Sequence, residues 1–221
     1  MERIPEPELM NDPAQALAYA RADFEEPNGR FVETWQALFG DPAGRLLDIG
    51  CGPGDITLRF ARRHPGLEVH GLDGATEMLR LARDALAREP ALAGRVVFLE
   101  GRVPDVTLPA APYHGLVSNS LLHHLHDPRG LWDLICRHGA PGAAVLVMDL
   151  FRPASVADAA RIVGKYAAEE PEVLRRDFHD SLLAAFTVAE VRAQLESAGL
   201  HGLAVRQASD RHLLASGYLP G

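Results

Sequence analysis

Three groups of residues in this 221-residue chain have types and spacing suited to chemistry. The first is the run Leu46-Leu47-Asp48-Ile49-Gly50-Cys51-Gly52-Pro53-Gly54-Asp55, in which three alternate glycines follow an apolar stretch. Glycine lets a backbone turn tightly and approach a ligand closely. The second is Asp73, about twenty residues further on, at the end of Gly71-Leu72-Asp73. A carboxylate there can accept hydrogen bonds from both hydroxyls of a ribose; its plainer use is to cap the helix that follows. The third is Ser118-Asn119-Ser120-Leu121-Leu122-His123-His124-Leu125-His126-Asp127-Pro128, with Asp149 further along. Histidine titrates near neutrality and suits proton removal. An acid beside it can orient the ring. His123, His126 and Asp127 also have a metal-like spacing, but no metal is assigned to them.

These residues need a scaffold, and the hydrophobic pattern supplies one. Leu46, Leu47 and Ile49 read as a short buried strand ending in glycines. Helices follow at 55–63, 75–88 and 131–137, and strands at 67–72, 96–99, 115–118 and 143–148. Strands alternating with helices imply a parallel sheet covered on both faces, an α/β fold. A mainly helical stretch covers 154–198. Two last strands, near 203–206 and 212–216, lie too close together for a parallel crossover and form a hairpin. Ahead of the first strand, helices are expected at 13–26 and 31–39, broken by Asp41-Pro42-Ala43-Gly44.

The loop chemistry narrows the ligand. A dinucleotide site wants a further glycine where this chain has Asp55, and it seats a pyrophosphate at the helix N-terminus. Asp48 and Asp55 would repel that group. They suit a cationic ligand without phosphate, and S-adenosylmethionine, with its sulfonium and α-ammonium, fits.

The glycine run, Gly-Leu-Asp-Gly-Ala followed by Glu77-Met78-Leu79, the His-His segment and Pro141-Gly142 together resemble class I S-adenosylmethionine-dependent methyltransferases over residues 45–152. The resemblance implies a Rossmann-like, seven-stranded, mostly parallel sheet of order 3-2-1-4-5-7-6, its seventh strand antiparallel. It implies that Gly50 and Gly52 contact the methionyl part, with Asp48 near its ammonium and Cys51 between them. Asp73 takes the ribose, with Gly74 beside it. Met78 packs on the adenine, and Arg102 and Val103 flank it. The backbone of Asn119 meets the methionyl group, and Tyr19 closes over the cofactor. The family often has an acid where Arg102 stands. Arg102 cannot accept a hydrogen bond, so backbone groups or Asp105 must replace that contact. His123 and His124 are expected to serve as base or acceptor contact, with Asp149 orienting them. Residues 1–40 are expected to form a helical cap and 41–221 the methyltransferase domain, with a substrate-cap insert at about 151–186. The insert contributes Arg152, Phe178 and His179 toward the acceptor, which its arginines and aromatics suggest is planar or anionic.

Composition sets the remaining limits. The net charge of −8, without a dense basic cluster, argues against nucleic acid as partner. No apolar run is long enough to span a bilayer, and the acidic, Pro-rich start lacks the features of a secretory signal. The expected location is the cytoplasm, with Cys51 and Cys136 free and the chain a monomer or homodimer. The expected activity is methyl transfer from S-adenosylmethionine to an oxygen or nitrogen of a small molecule, leaving S-adenosylhomocysteine. The alternatives are an RNA or protein methyltransferase, an inactive cofactor-binding subunit, and a nicotinamide oxidoreductase, the last weakened by Asp55.

Overall fold

A computed structural model describes residues 1–108 and 112–221. The apolar runs become seven strands of one sheet: β1 (Arg45–Ile49), β2 (Glu68–Asp73), β3 (Val96–Glu100), β4 (Tyr113–Asn119), β5 (Gly139–Leu150), β6 (Leu203–Gln207) and β7 (His212–Tyr218). Their spatial order is β3-β2-β1-β4-β5-β7-β6. Strands β1 to β5 pair in parallel, and β7 runs antiparallel to both β5 and β6. The helices are α1 (Pro13–Arg21), α2 (Glu25–Phe39), α3 (Asp55–Arg63), α4 (Thr76–Ala87), α5 (Arg129–His138), α6 (Val156–Tyr166), α7 (Glu172–Ala184) and α8 (Val188–Ser197).

Both faces of the sheet are covered, which is why β1 is apolar without strict alternation. Leu47 and Ile49 join one core with Trp132 and Ile135 of α5 and Val191 and Leu195 of α8. Leu46 joins the opposite core with Phe31 and Trp35 of α2, Phe60 of α3 and Leu79 of α4. Asp48 is the buried polar exception on this strand. The parallel register puts the carboxyl ends of β1, β2, β4 and β5 on one edge, with Asp48 opposite Gly71 and Asn119 opposite Met148. Ligands of open α/β sheets bind at that edge.

Several boundaries differ from the sequence reading. The first helix stops at Arg21, and α2 begins at Glu25 rather than 31. Pro27 lies in the first turn of α2, where its missing N–H would have had no helical partner anyway. With Phe31, Val32 and Trp35 buried against the sheet, α2 belongs to the helical layer; α1 lies apart, its Ala16 packed with Ala75 and Met78. Strand β5 starts at Gly139, so Pro141-Gly142 falls inside it, where the β4–β5 register shifts. The helical stretch is three helices, of which α6 and α7 share a small core of their own that includes Ile162, Leu182 and Leu183. Phe151 and Phe186 pair across the base of this insert.

Candidate cofactor and transfer site

The loop after β1 is shaped by its glycines. Gly50, Gly52 and Gly54 have φ of 76°, 52° and 86°, a region that costs other residues roughly 1–2 kcal/mol each. The loop is tied to the end of β2: the N–H groups of Gly50 and Cys51 both donate to the Leu72 carbonyl, at 2.7 and 3.0 Å. A Cβ on Gly50 would collide with Leu121, 2.8 Å away, whereas one on Gly52 would meet nothing within 4 Å. The space beside Gly52 is a cradle open to the main cavity.

Two carboxylates look into that cradle. Asp48 is 1% exposed and accepts a 2.6 Å hydrogen bond from the Thr57 hydroxyl. Burial pushes its carboxyl up to about 7, against the Thr57 bond and with help from Asp73 and Asp55. Asp73 accepts from the N–H of Gly52 through Oδ2 and of Ala75 through Oδ1, both at 2.8 Å. Burial raises its carboxyl, and these backbone donors oppose the rise. Asp55 departs from the sequence reading. It accepts from Asn28 at 2.8 Å and pairs with Arg59 at 2.7 Å, so its charge is already matched. The acidity of the cradle therefore rests on Asp48 and Asp73. Tyr19 of α1 lies over the same space, its phenol pushed up to about 12 by burial and then by Asp73. The buried Cys51 thiol is pushed up by the same desolvation, which leaves it a packing group and not a nucleophile.

At the other end, β4 closes on Ser120, the one non-glycine residue with positive φ among those described, at 56°. This kink leads into a single 3₁₀ turn, Leu122–His124. Asp149 near the end of β5 holds the turn: Oδ2 accepts from the Leu122 N–H at 2.6 Å, and Oδ1 lies 2.5 Å from His123 Nδ1. Both side chains are buried, at 3% and 1% exposure. Burial lowers His123, but the Asp149 charge and hydrogen bond outweigh it and the net shift is upward. The His124 ring lies 4.2 Å from that of His123 and is pushed down to about 3, first by burial and then by His123.

An N-terminal strap, residues 3–10, closes over this turn. Arg3 donates to the carbonyls of Ala184, His123 and Leu125 at 2.5, 2.8 and 2.9 Å, and its guanidinium lies 4.0 Å from the centre of the Phe186 ring. Glu6, 12% exposed, lies 3.2 Å from His124 Nδ1 and 3.5 Å from His123 Nε2; burial raises its carboxyl. The cradle, strap and turn enclose one cavity of about 1380 Å³. That exceeds the ~300–1,000 Å³ of a typical single-ligand site and leaves room for a cofactor and an acceptor together.

Residues 46–142 match a family model described as a methyltransferase domain. Over 113 residues the chain is 40% identical to the trans-aconitate 2-methyltransferase of Streptomyces avermitilis, a match covering 50% of this chain and 40% of that protein. The corresponding enzyme of Azoarcus sp. is 33% identical over 109 residues, 48% of this chain and 39% of the relative. The chain thus aligns with about two fifths of the length of these relatives. Among solved structures, the plantazolicin methyltransferase BpumL, in complex with a substrate analogue and SAH, superposes with a TM-score of 0.69 at 15% identity, over 94% of this chain and 96% of that one. Residues 46–142 are thus a methyltransferase domain, and the fold around them is that of solved S-adenosylmethionine-dependent methyltransferases.

Within the methyltransferase domain, the eleven residues expected at the cofactor all line the one cavity: Tyr19, Asp48, Gly50, Cys51, Gly52, Asp73, Gly74, Met78, Arg102, Val103 and Asn119. So do His123, His124 and Phe178, with Asp149 behind them. Two acceptor residues stand elsewhere. Arg152 is buried at the base of the insert, bonded to the Ala185 carbonyl at 3.1 Å and to Glu190 at 2.7 Å, and does not line the cavity. His179 faces a separate shallow groove between α6 and α7. His126 turns outward to the Glu6 carbonyl and Glu8, away from the cluster suggested by its spacing. Arg3 and Glu6 were missed. Their only sequence signal is the stiffness of Pro5 and Pro7 around Glu6, which favours an extended segment without saying where it lands.

The open cradle beside Gly52 and the two carboxylates facing it fit the methionyl and ribose parts of S-adenosylmethionine. Met78, packed against Tyr19, and the Arg102–Val103 pair line the same cavity and would bound an adenine there. No helix is long and apolar enough to cross a membrane among the described residues.

Proposed function

We propose that this chain transfers a methyl group from S-adenosylmethionine to an oxygen or nitrogen nucleophile of a small molecule. The observation that carries the reading is the continuity of one cavity from the Gly52 cradle and Asp73 to the His123–His124 turn. S-adenosylmethionine supplies a methyl group on a sulfonium, which is already a good leaving group. What remains for the protein is to bind, align and exclude water. Asp73 holds the ribose and Asp48 the ammonium. The positive φ values of the loop bring the backbone close to the methionyl chain. The acceptor is presented against His123 and His124, which Asp149 and the kink at Ser120 keep at a fixed depth. The strap, α1 and α7 form the roof, with Tyr19 and Phe178 over the interior. The similarity to trans-aconitate 2-methyltransferases, and to an O-methyltransferase of Aspergillus nomiae at 29% identity over 136 residues, 62% of this chain and 54% of the relative, favours an oxygen nucleophile. An acidic chain also favours a small acceptor over RNA.

Radiolabelled S-adenosylmethionine and a panel of small carboxylic acids, phenols and amines test the reading. Transfer to one class supports it; for a phenol, His123→Ala should reduce turnover at least about 100-fold with cofactor affinity held, and for a carboxylate, already ionised, or a neutral amine the loss should be small. Transfer only to tRNA or to proteins would overturn it.

A further inference from the structure

The strap delivers a third ligand-bearing group to the two histidines. Glu6, His123 and His124 each offer one ligand atom within 4.8 Å of the other two, with Glu6 Oε1 nearest His123 Nε2 and His124 Nδ1. Glu6 Oε1 and His124 Nδ1 are both buried and neither has a hydrogen-bond partner. Unpartnered buried atoms of this kind are rare and call for an explanation. A direct charge-assisted N–H···O bond would be about 2.7–2.9 Å long, and the observed separations of 3.2 and 3.5 Å exceed it. They match the edges of a coordination tetrahedron. With zinc–nitrogen and zinc–oxygen bonds of about 2.0–2.1 Å, neighbouring ligand atoms stand about 3.3–3.4 Å apart. The surroundings fit as well. His123 gives Nδ1 to Asp149 and turns Nε2 toward the gap, the carboxylate–histidine arrangement that orients a metal ligand.

We propose that Glu6, His123 and His124 form a three-ligand site for a divalent cation of the zinc type, with an open position facing the acceptor. Two imidazoles and one carboxylate select such a cation over magnesium or calcium, which prefer all-oxygen sites. Its role in transfer rests on the cavity being the methyl-transfer site. An acceptor hydroxyl would take the open position, where the cation lowers the cost of losing its proton. The O–H bond ionises and the proton passes to water. The oxygen lone pair then bonds the methyl carbon, and the carbon–sulfur bond breaks with its electron pair going to sulfur, leaving a neutral thioether. In this scheme the histidines act as ligands, and activation that a free imidazole would otherwise provide comes from the cation.

The untagged full chain, stripped with a chelator, is titrated with Co²⁺ while visible absorption is recorded, then with Zn²⁺. The expected result is an intense tetrahedral-type spectrum saturating at about one equivalent and erased by Zn²⁺. Glu6→Gln and His124→Asn should each weaken binding at least about 100-fold, and Asp149→Asn about 10–100-fold. Far-ultraviolet circular dichroism on each variant verifies that it is folded, and calorimetry with S-adenosylhomocysteine is run beside it. No spectrum from the parent chain, or an undiminished one from both folded ligand variants, would overturn the proposal. S-adenosylhomocysteine binding without a cobalt spectrum rejects the cation site alone. A cobalt spectrum without that binding rejects the cofactor reading and leaves the cation site standing.

Discussion

Asp73 shows how one carboxylate serves two levels of the structure. It pins the glycine loop through Gly52 and closes a turn onto the N–H of Ala75, the residue before α4, and it lines the cavity. The helix cap that the sequence offered as its plainer use is not made: Ala75 is the N-cap of α4 and no side chain caps it. Asp73→Ala should weaken S-adenosylhomocysteine binding by about tenfold to several hundredfold: two hydrogen bonds to a charged acceptor, roughly 1.5–3 kcal/mol each taken singly, are lost, and neighbouring bonds contribute less than additively. It should also lower the melting temperature, because two backbone donors lose their partner. Calorimetry and thermal unfolding of the variant read both effects. Asp48 gives a pH signature. Its buried carboxyl titrates near 7, well above the ordinary carboxylate range, so the folded chain holds a proton between about pH 4 and 7 that the unfolded chain has released. This group's contribution to stability therefore falls as pH rises through that window. A bound ammonium needs the ionised form, so cofactor affinity should rise with pH through 7 and level off about one unit above it. At pH 6 it should be about tenfold below the plateau. Calorimetry from pH 5.5 to 7.5 should trace this rise, and Asp48→Asn should flatten it.

At the scale of elements, the βα pattern was legible because burial on both faces and glycine at strand ends leave strong local marks. The helix at 55–63 and the closing hairpin needed no tertiary information. The site's far end was half legible. The His-His pair and Asp149 lie at strand ends, and the parallel register makes them neighbours. The strap was not legible, since Arg3 reaches Ala184 across 181 residues and nothing periodic announces such a pairing. Nor was the place of Arg152, whose partner Glu190 belongs to the capping box of α8; an arginine beside a binding site and one bracing a helix start look alike in sequence. Two substitutions probe these elements. Gly52→Ala places a methyl in open space at φ 52°. It should cost about 1–2 kcal/mol of stability yet cut cofactor affinity at least about tenfold, because the methyl enters the cradle. Arg3→Ala removes the strap's anchor to three carbonyls. It should speed amide exchange at residues 3–10 and 122–125 and lower the melting temperature by several degrees, from roughly 1–3 kcal/mol. Hydrogen-exchange mass spectrometry measures the first and calorimetric scanning the second.

At the scale of the whole molecule, one sheet edge gathers the carboxyl ends of four strands, and one cavity reaches from the carboxylates of Asp48 and Asp73 to a histidine turn. The glycine run has Asp55 where a dinucleotide loop wants a further glycine, but that one residue does not by itself decide between a dinucleotide and S-adenosylmethionine. What separates the two ligands is charge: Asp48 and Asp73 face the cradle, and no basic side chain of the loop offsets them as Arg59 offsets Asp55. The most direct test is calorimetric titration of the purified full chain at pH 7.5 with S-adenosylhomocysteine and, separately, with NAD. One molecule of S-adenosylhomocysteine per chain is predicted to bind with a micromolar-range dissociation constant, near −8 kcal/mol, with no heat from NAD. Binding of NAD with no heat from S-adenosylhomocysteine would contradict the assignment of the cavity.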